Sequence, residues 1–254
     1  MTSGARLTLS GVLRTFGGIR AVDDVSFGVA PGETLGIIGP NGAGKSVLLN
    51  VINGVYLAES GTITLDDVRI DRLRPHQITA HGVGRSFQST EQFRDFRAAE
   101  YVMLGRMAHQ RTSLFTTAVG WPGVRRSEQD EVTRAEAALD RFGLAGLAFS
   151  RIGELPYGAQ KLVDIARVLA AEPRLILLDE PTSGTTSVER TIISDVLEEV
   201  ARSEVTMVII DHDVSFISDI SDRMLVMNYG RLLAQGTPEE VLARPDVIEA
   251  YLGI

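Results

Sequence analysis

The chain has 254 residues, 44 % of them apolar and 23 % charged, with a net charge of −8 and no cysteine. That is enough apolar material for one large α/β domain, or one domain with a small subdomain. Disulfides and thiolate metal sites are excluded, and the negative balance argues against a nucleic-acid binder that relies on a broad basic field.

The first 36 residues read as β-rich. Leu7–Leu9, Val25–Val29 and Thr34–Ile38 are short apolar runs, and Gly17-Gly18 and Pro31-Gly32 between them are turn signals. A Gly-rich stretch follows. Val47–Ile52 then places apolar residues at 47, 48, 51 and 52, one face of a helix stopped by Asn53-Gly54. Thr62–Leu65 is a further strand. Residues 89–157 lack strong strand runs and read as a helical insert. Within it, Ser127–Phe142 has apolar residues at 132, 135, 139 and 142, Ser127 and Asp130 at capping spacing, and Gly143 just past the end. Residues 109–126 are irregular and carry no assignable pattern.

The α/β alternation then resumes. Leu162, Ile165, Ala166 and Leu169 share one face of a helix over Gln160–Leu169. Leu175–Leu178 and Val205–Ile210 are apolar throughout, as strands of a buried parallel sheet are, and Ile192–Val200 between them is helical by the same count. Met224–Met227 and Arg231–Ala234, around Asn228–Gly230, suggest a hairpin. The longest apolar runs fall far short of a bilayer span, and no N-terminal stretch reads as a secretory signal. The chain is therefore expected to fold in the cytoplasm.

Gly39-Pro40-Asn41-Gly42-Ala43-Gly44-Lys45-Ser46 matches G-x-x-x-x-G-K-[ST], and it lies between an apolar strand and a helix. Its glycines let successive backbone N–H groups converge on one phosphate, with the following helix N-terminus behind them. Lys45 would neutralise the β- and γ-phosphates, and the Ser46 hydroxyl would bind Mg²⁺. Asp179-Glu180 follows an apolar strand, and strand C-terminal ends face the ligand in a parallel sheet. Asp179 is then placed to hold Mg²⁺ through water and Glu180 to polarise the attacking water. By themselves two carboxylates at a strand end also suit a solvated turn.

Weaker signals surround these. His212, between Asp211 and Asp213, can donate to a γ-phosphate or be structural. The Gln88 amide can bind Mg²⁺ and water or sit in a surface loop. Phe16, before Gly17-Gly18, can stack on a base or belong to the core. Leu155-Pro156-Tyr157-Gly158-Ala159-Gln160 opens a helix, and its N-terminus can bind a phosphate or simply start the helix.

The order and spacing of these motifs resemble those of ABC transporter ATPases over essentially the whole chain. Three stretches resemble the branched-chain amino acid uptake members in particular: Phe16-Gly17-Gly18 with Ala21-Val22, Arg85-Ser86-Phe87-Gln88, and Gly236–Gly253, GTPEEVLARPDVIEAYLG. The insert at 109–126 and Asp211-His212-Asp213 are similar to one of the two sister ATPases of that group.

The resemblance implies a P-loop NTPase cassette with a RecA-like core, an antiparallel β subdomain and a helical subdomain. Residues 1–88 and 158–254 would form the core, and 89–157 the helical subdomain with the signature at its end. It implies ATP and Mg²⁺ as cofactors. Phe16 would stack on adenine. Gly39, Asn41, Gly42, Ala43, Gly44, Lys45, Ser46 and Val47 would hold the phosphates. Ser46, Gln88 and Asp179 would serve the metal, and Lys45, Gln88, Glu180 and His212 would act in catalysis.

A second ATPase subunit, identical or not, would present Pro156, Tyr157 and Gly158 to the first one's ATP. Membrane permease subunits would be gripped by the Gln88 loop and the helical subdomain, and a solute-binding protein would act indirectly. The place of action would be the cytoplasmic face of the membrane, and no nucleic acid is implied.

The chain departs from the family pattern at three places. Pro156 stands where Ser is usual and has neither its hydroxyl nor an N–H. Ala159 stands where Gln is usual. Thr185-Thr186 replaces Leu followed by Asp or Asn. These departures bear on coupling and rate rather than on ATP binding. They leave open a weakly hydrolysing partner in an asymmetric heterodimer. A soluble ABC ATPase fits less well, because such chains carry two cassettes or long coiled-coil insertions.

Overall fold

The computed structural model describes residues 3–87, 90–106 and 122–252, with the side chains of 122–129 and 252 excepted. Gln88 and most of the 109–126 stretch lie outside the described residues.

Among the described residues, ten strands form two sheets. The smaller is antiparallel, in the order β2-β1-β4-β5, from β1 (Leu7–Phe16), β2 (Ile19–Val29), β4 (Ser60–Leu65) and β5 (Val68–Arg69). The first two strands are longer than their apolar runs. Gly17-Gly18 makes their turn, and shifts in register near Gly11 break the alternation that would have marked their full length.

The larger sheet has the order β10-β9-β3-β8-β7-β6, from β3 (Thr34–Ile38), β6 (Val83–Arg85), β7 (Leu175–Asp179), β8 (Thr206–Ile210), β9 (Arg223–Asn228) and β10 (Arg231–Gly236). All its pairings are parallel except the β9–β10 hairpin, which turns at Tyr229-Gly230.

Every residue of β3, β7 and β8 is buried. Their side chains alternate between two hydrophobic cores. Ile176, Leu178, Met207 and Ile209 face one, and Leu175, Leu177, Val208 and Ile210 face the other. The second core is closed by β1, β2, β4 and helix α1 (Lys45–Ile52). The first is closed by helices α3 (Ala98–Arg106), α4 (Pro122–Asp140), α5 (Tyr157–Ala170), α6 (Ser187–Arg202) and α7 (Val214–Ile220). Three short helices complete the described chain: α2 (Pro75–Ala80), α8 (Pro238–Leu242) and α9 (Pro245–Leu252). Among the described residues, no helix is long and apolar enough to cross a membrane.

One expectation needs correction, and one strand was not anticipated. Helix α4 runs Pro122–Asp140, so Ser127 and Asp130 lie inside it and not at its start. Strand β6 was hidden by its length. Three residues, Val83-Gly84-Arg85, are too few to display a period.

Candidate functional site

Strands β3, β7 and β8 are neighbours, so their C-terminal ends bring Gly39, Asp179 and Asp211 to one edge of the sheet. After β3 the chain folds into the Gly39–Ser46 loop. Two glycines are dictated by their surroundings. Gly44 has φ 98° and caps α1. A Cβ there would run into the Ala21 carbonyl oxygen, and one at Gly39 would run into that of Met227. The β9–β10 turn clasps the loop from outside, through the Gly230 N–H donating to Ala43 O at 3.0 Å.

Lys45 is only 6 % exposed. Its ammonium donates back to Gly39 O at 2.6 Å and Pro40 O at 3.1 Å. Burial pushes its pKa down, opposed by the nearby Glu180 and Asp179 carboxylates. Ser46 Oγ donates to Asp179 Oδ1 at 3.1 Å. Burial pushes the Asp179 pKa up, and the Arg85 guanidinium 3.7 Å away opposes this.

Glu180 follows directly with φ 53°, a left-handed backbone rarely taken by a side-chain-bearing residue and common at functional sites. Its N–H donates to Ile210 O at 2.7 Å. Its Oε1 lies 2.6 Å from His212 Nε2. Beside them, Asp211 accepts from the Thr182 N–H and hydroxyl at 3.0 and 2.8 Å and shapes the turn that presents His212.

Lys45, Ser46, Glu180 and His212 share one open cavity of about 340 Å³, whose wall also includes Ile19, Arg20, Ala21, the rest of residues 41–47 and Tyr229, while Asp179 and Asp211 are buried behind it. Phe16 is not in its wall. The Phe16 ring packs edge-on against Tyr56, centroids 5.0 Å apart, with the Arg14 guanidinium over it at 4.6 Å.

Pro156, Tyr157 and Gly158 form the start of α5 and do not line the cavity either. The Tyr157 ring covers Gly184, and the Glu189 carboxylate covers Gly158. Thr186, one of the departures noted above, is the N-cap of α6. It accepts from the Glu189 N–H at 3.3 Å, while Glu189 accepts from the Thr186 N–H and hydroxyl. Threonine thus fills the capping place that Asp or Asn would fill.

Sequence reasoning missed four contributors. Ile19 and Arg20 carry no motif. Tyr229 reaches the wall through a two-residue turn, φ 45°. Buried Lys161, inside α5, donates to the Glu180 carbonyl at 3.3 Å. The signal for Lys161 was available: a lysine embedded among apolar positions of a helix buried on nearly all sides.

Comparison with known proteins agrees with this geometry. The ABC transporter family model matches residues 22–183, and a model described as branched-chain amino acid ATP-binding cassette transporter matches 231–254. The high-affinity branched-chain amino acid transport ATP-binding protein LivG of Escherichia coli is 36 % identical over 97 % of each chain. A solved nucleotide-free ATP-binding cassette from an ABC transporter superposes with TM-score 0.86 at 30 % identity, covering 98 % of this chain and all of that one. A dimeric cassette in a post-hydrolysis state, bound to ADP and Pi, gives 0.79 at 25 % identity over 91 % of this chain and 98 % of that one. With the phosphate loop, the paired carboxylates and the histidine gathered on one sheet edge, the chain belongs to the ABC transporter family, as one of its nucleotide-binding ATPases.

Proposed function

We propose that this chain energises an importer of branched-chain amino acids or related small solutes by hydrolysing ATP against permease subunits at the cytoplasmic face of the membrane. The observation that carries the ATPase chemistry is the convergence of Lys45, Ser46, Glu180 and His212 on one open cavity, with buried Asp179 bonded to Ser46 behind its wall. The near full-length similarity to LivG supports the solute class.

The residues present fit Mg²⁺. Ser46 Oγ and Asp179 Oδ1 are oxygen donors 3.1 Å apart, and Mg²⁺ prefers one or two protein oxygens beside substrate phosphates and waters. When bound, it supplies positive charge against the phosphate oxygens. On this reading Lys45 exchanges its bonds to Gly39 and Pro40 for the β- and γ-phosphates. The loop N–H groups hold the same oxygens. Glu180 orients the attacking water and accepts its proton, and His212 fixes the Glu180 carboxylate. Phe16 would stack on the base, and Tyr229, which lines the cavity with Ile19–Ala21, would be a second base contact. Gln88 contributes to the metal and water.

Glu180→Gln is expected to lower kcat by about 10²–10⁴-fold while ATP binding, measured by equilibrium titration, stays within a few-fold. Undiminished turnover would remove Glu180 from the mechanism. In cells, Lys45→Ala is expected to abolish uptake of labelled leucine. Uptake at the unmutated level would sink the solute assignment.

A facing cassette, as in the dimeric relative, is part of the proposal. One observation favours an unlike partner: the N-cap of α5 is Pro156, with no side-chain cap, so that position offers no hydroxyl to the ATP across the dimer. Equal losses from Glu180→Gln placed in either subunit of the pair would exclude the asymmetric arrangement.

A further inference from the structure

The segment joining β6 to α3 is fastened to α5 at two points, one on each side of residues 88 and 89. The Phe87 N–H donates to Asp164 Oδ2 at 2.7 Å. The Thr90 hydroxyl donates to Gln160 Oε1 at 2.8 Å. Gln160 and Asp164 are four apart in α5, so a single helix face receives both bonds.

Neither acceptor is loose. Gln160 Nε2 donates to Leu155 O at 2.9 Å. Asp164, 1 % exposed, also accepts from the Tyr101 hydroxyl at 2.7 Å and Arg167 Nε at 2.9 Å. The Arg167 guanidinium in turn donates to Arg85 O at 2.6 Å and lies 4.4 Å from the Phe87 ring centroid. Thr90 is buried as well.

The sheet still holds Ser86, whose N–H donates to Leu177 O at 3.0 Å and whose Oγ accepts from the Asp179 N–H at 3.0 Å, and beyond Ser86 the bonds to α5 take over. A carboxylate taken out of water and satisfied by three separate elements is costly to assemble. Here its donors come from α3, from α5 itself and from the backbone just ahead of position 88.

We infer that Thr90 and Asp164 are positioning residues of the ATPase, the two fastenings by which α5 sets the Gln88-bearing loop against the nucleotide. The inference rests on the reading of Gln88 proposed above.

Asp164→Asn is a poor test, because it leaves the buried Arg167 charge short of its partner. Thr90→Val is nearly isosteric and removes one donor, and Thr90→Ser keeps it. The test is steady-state ATP hydrolysis by the full-length chain at saturating Mg²⁺, with the melting temperature followed in parallel.

Thr90→Val is expected to lower kcat by about 10- to 100-fold, the range set by a misplaced catalytic group. KM for ATP should stay within about twofold and the melting temperature should hold, since hydrolysis geometry and not nucleotide affinity is at stake. Thr90→Ser should restore turnover. In a Gln88→Ala background Thr90→Val should cost nothing more, because both act through one group.

Unchanged kcat in Thr90→Val, losses that multiply with those of Gln88→Ala, or a fall in melting temperature that accounts for the loss would each overturn the inference. If the unmutated chain fails to hydrolyse ATP, the proposed function falls first. If it turns over and responds to Gln88→Ala but not to Thr90→Val, only this inference falls.

Discussion

The Lys45 ammonium is satisfied by two carbonyls of its own loop, those of Gly39 and Pro40. Identity and spacing made Lys45, Ser46, Asp179 and Glu180 legible in the sequence, because their chemistry needs those atoms in that order. The parts played by Arg85 and Tyr229 were not legible. These depend on which strand or turn lies next to the loop, a tertiary fact that no local pattern carries.

Asp71 is a residue of the second kind, and it bears on stability rather than chemistry. Its side chain is fully buried. Burial pushes its pKa up, but bonds from Arg69 Nε at 2.7 Å and the Ile63 N–H at 3.2 Å outweigh this and hold it below the ordinary range. A carboxylate lowered in the folded state stabilises above its unfolded pKa, and that contribution fades as pH falls through the folded value. Asp71→Asn is therefore expected to cost about 1–3 kcal/mol at pH 7. The gap from the unmutated chain should close below about pH 3.9. Chemical denaturation at pH 7 and at pH 3 measures both.

Among the elements, those with whole periods were readable: β3, β7, β8, the β9–β10 hairpin and the apolar faces of α1 and α5. Those that fail a period were not. Strand β6 has three residues, and β1 carries register shifts. Helix α3 is set by its fit to α5 more than by its own pattern.

That fit can be tested at Gly105, where α3 meets α5. A Cβ there would strike the Arg167 carbonyl oxygen, which is helix backbone and cannot turn aside. Gly→Ala within a helix normally gains up to about 1 kcal/mol. Overpacking costs about 1–3 kcal/mol, so Gly105→Ala is expected to destabilise despite its better propensity. A rise in melting temperature would show that the helices separate easily.

At the start of α6, Thr186→Ala removes the capping oxygen and is expected to cost about 1 kcal/mol, with Thr186→Asn close to neutral. Equal destabilisation by both would show that the threonine acts by something other than its cap.

At the level of the molecule, the site is built from distant parts of the chain. β3, which leads into the phosphate loop, has β8 and β9 as its two neighbours. The outer clasp of the loop comes from Gly230, which also accepts from the Asp23 N–H at 2.8 Å. A fragment ending at residue 202 contains the whole Gly39–Ser46 motif and both Asp179 and Glu180, yet leaves β3 unpaired on both edges. It is expected to bind no ATP in equilibrium titration, and binding near that of the full chain would show that the loop is self-sufficient.

The strand order also dictates a timetable. During synthesis the apolar Thr34–Ile38 emerges long before Thr206–Ile210, and at about 5–20 residues per second it waits roughly 10–30 s for a partner. For that interval it is an uncovered sticky segment, which chaperones would be expected to shield. A loop able to grip ATP is therefore expected only once the strands at 206–210 and 223–228 have been made, so nucleotide binding comes late in synthesis.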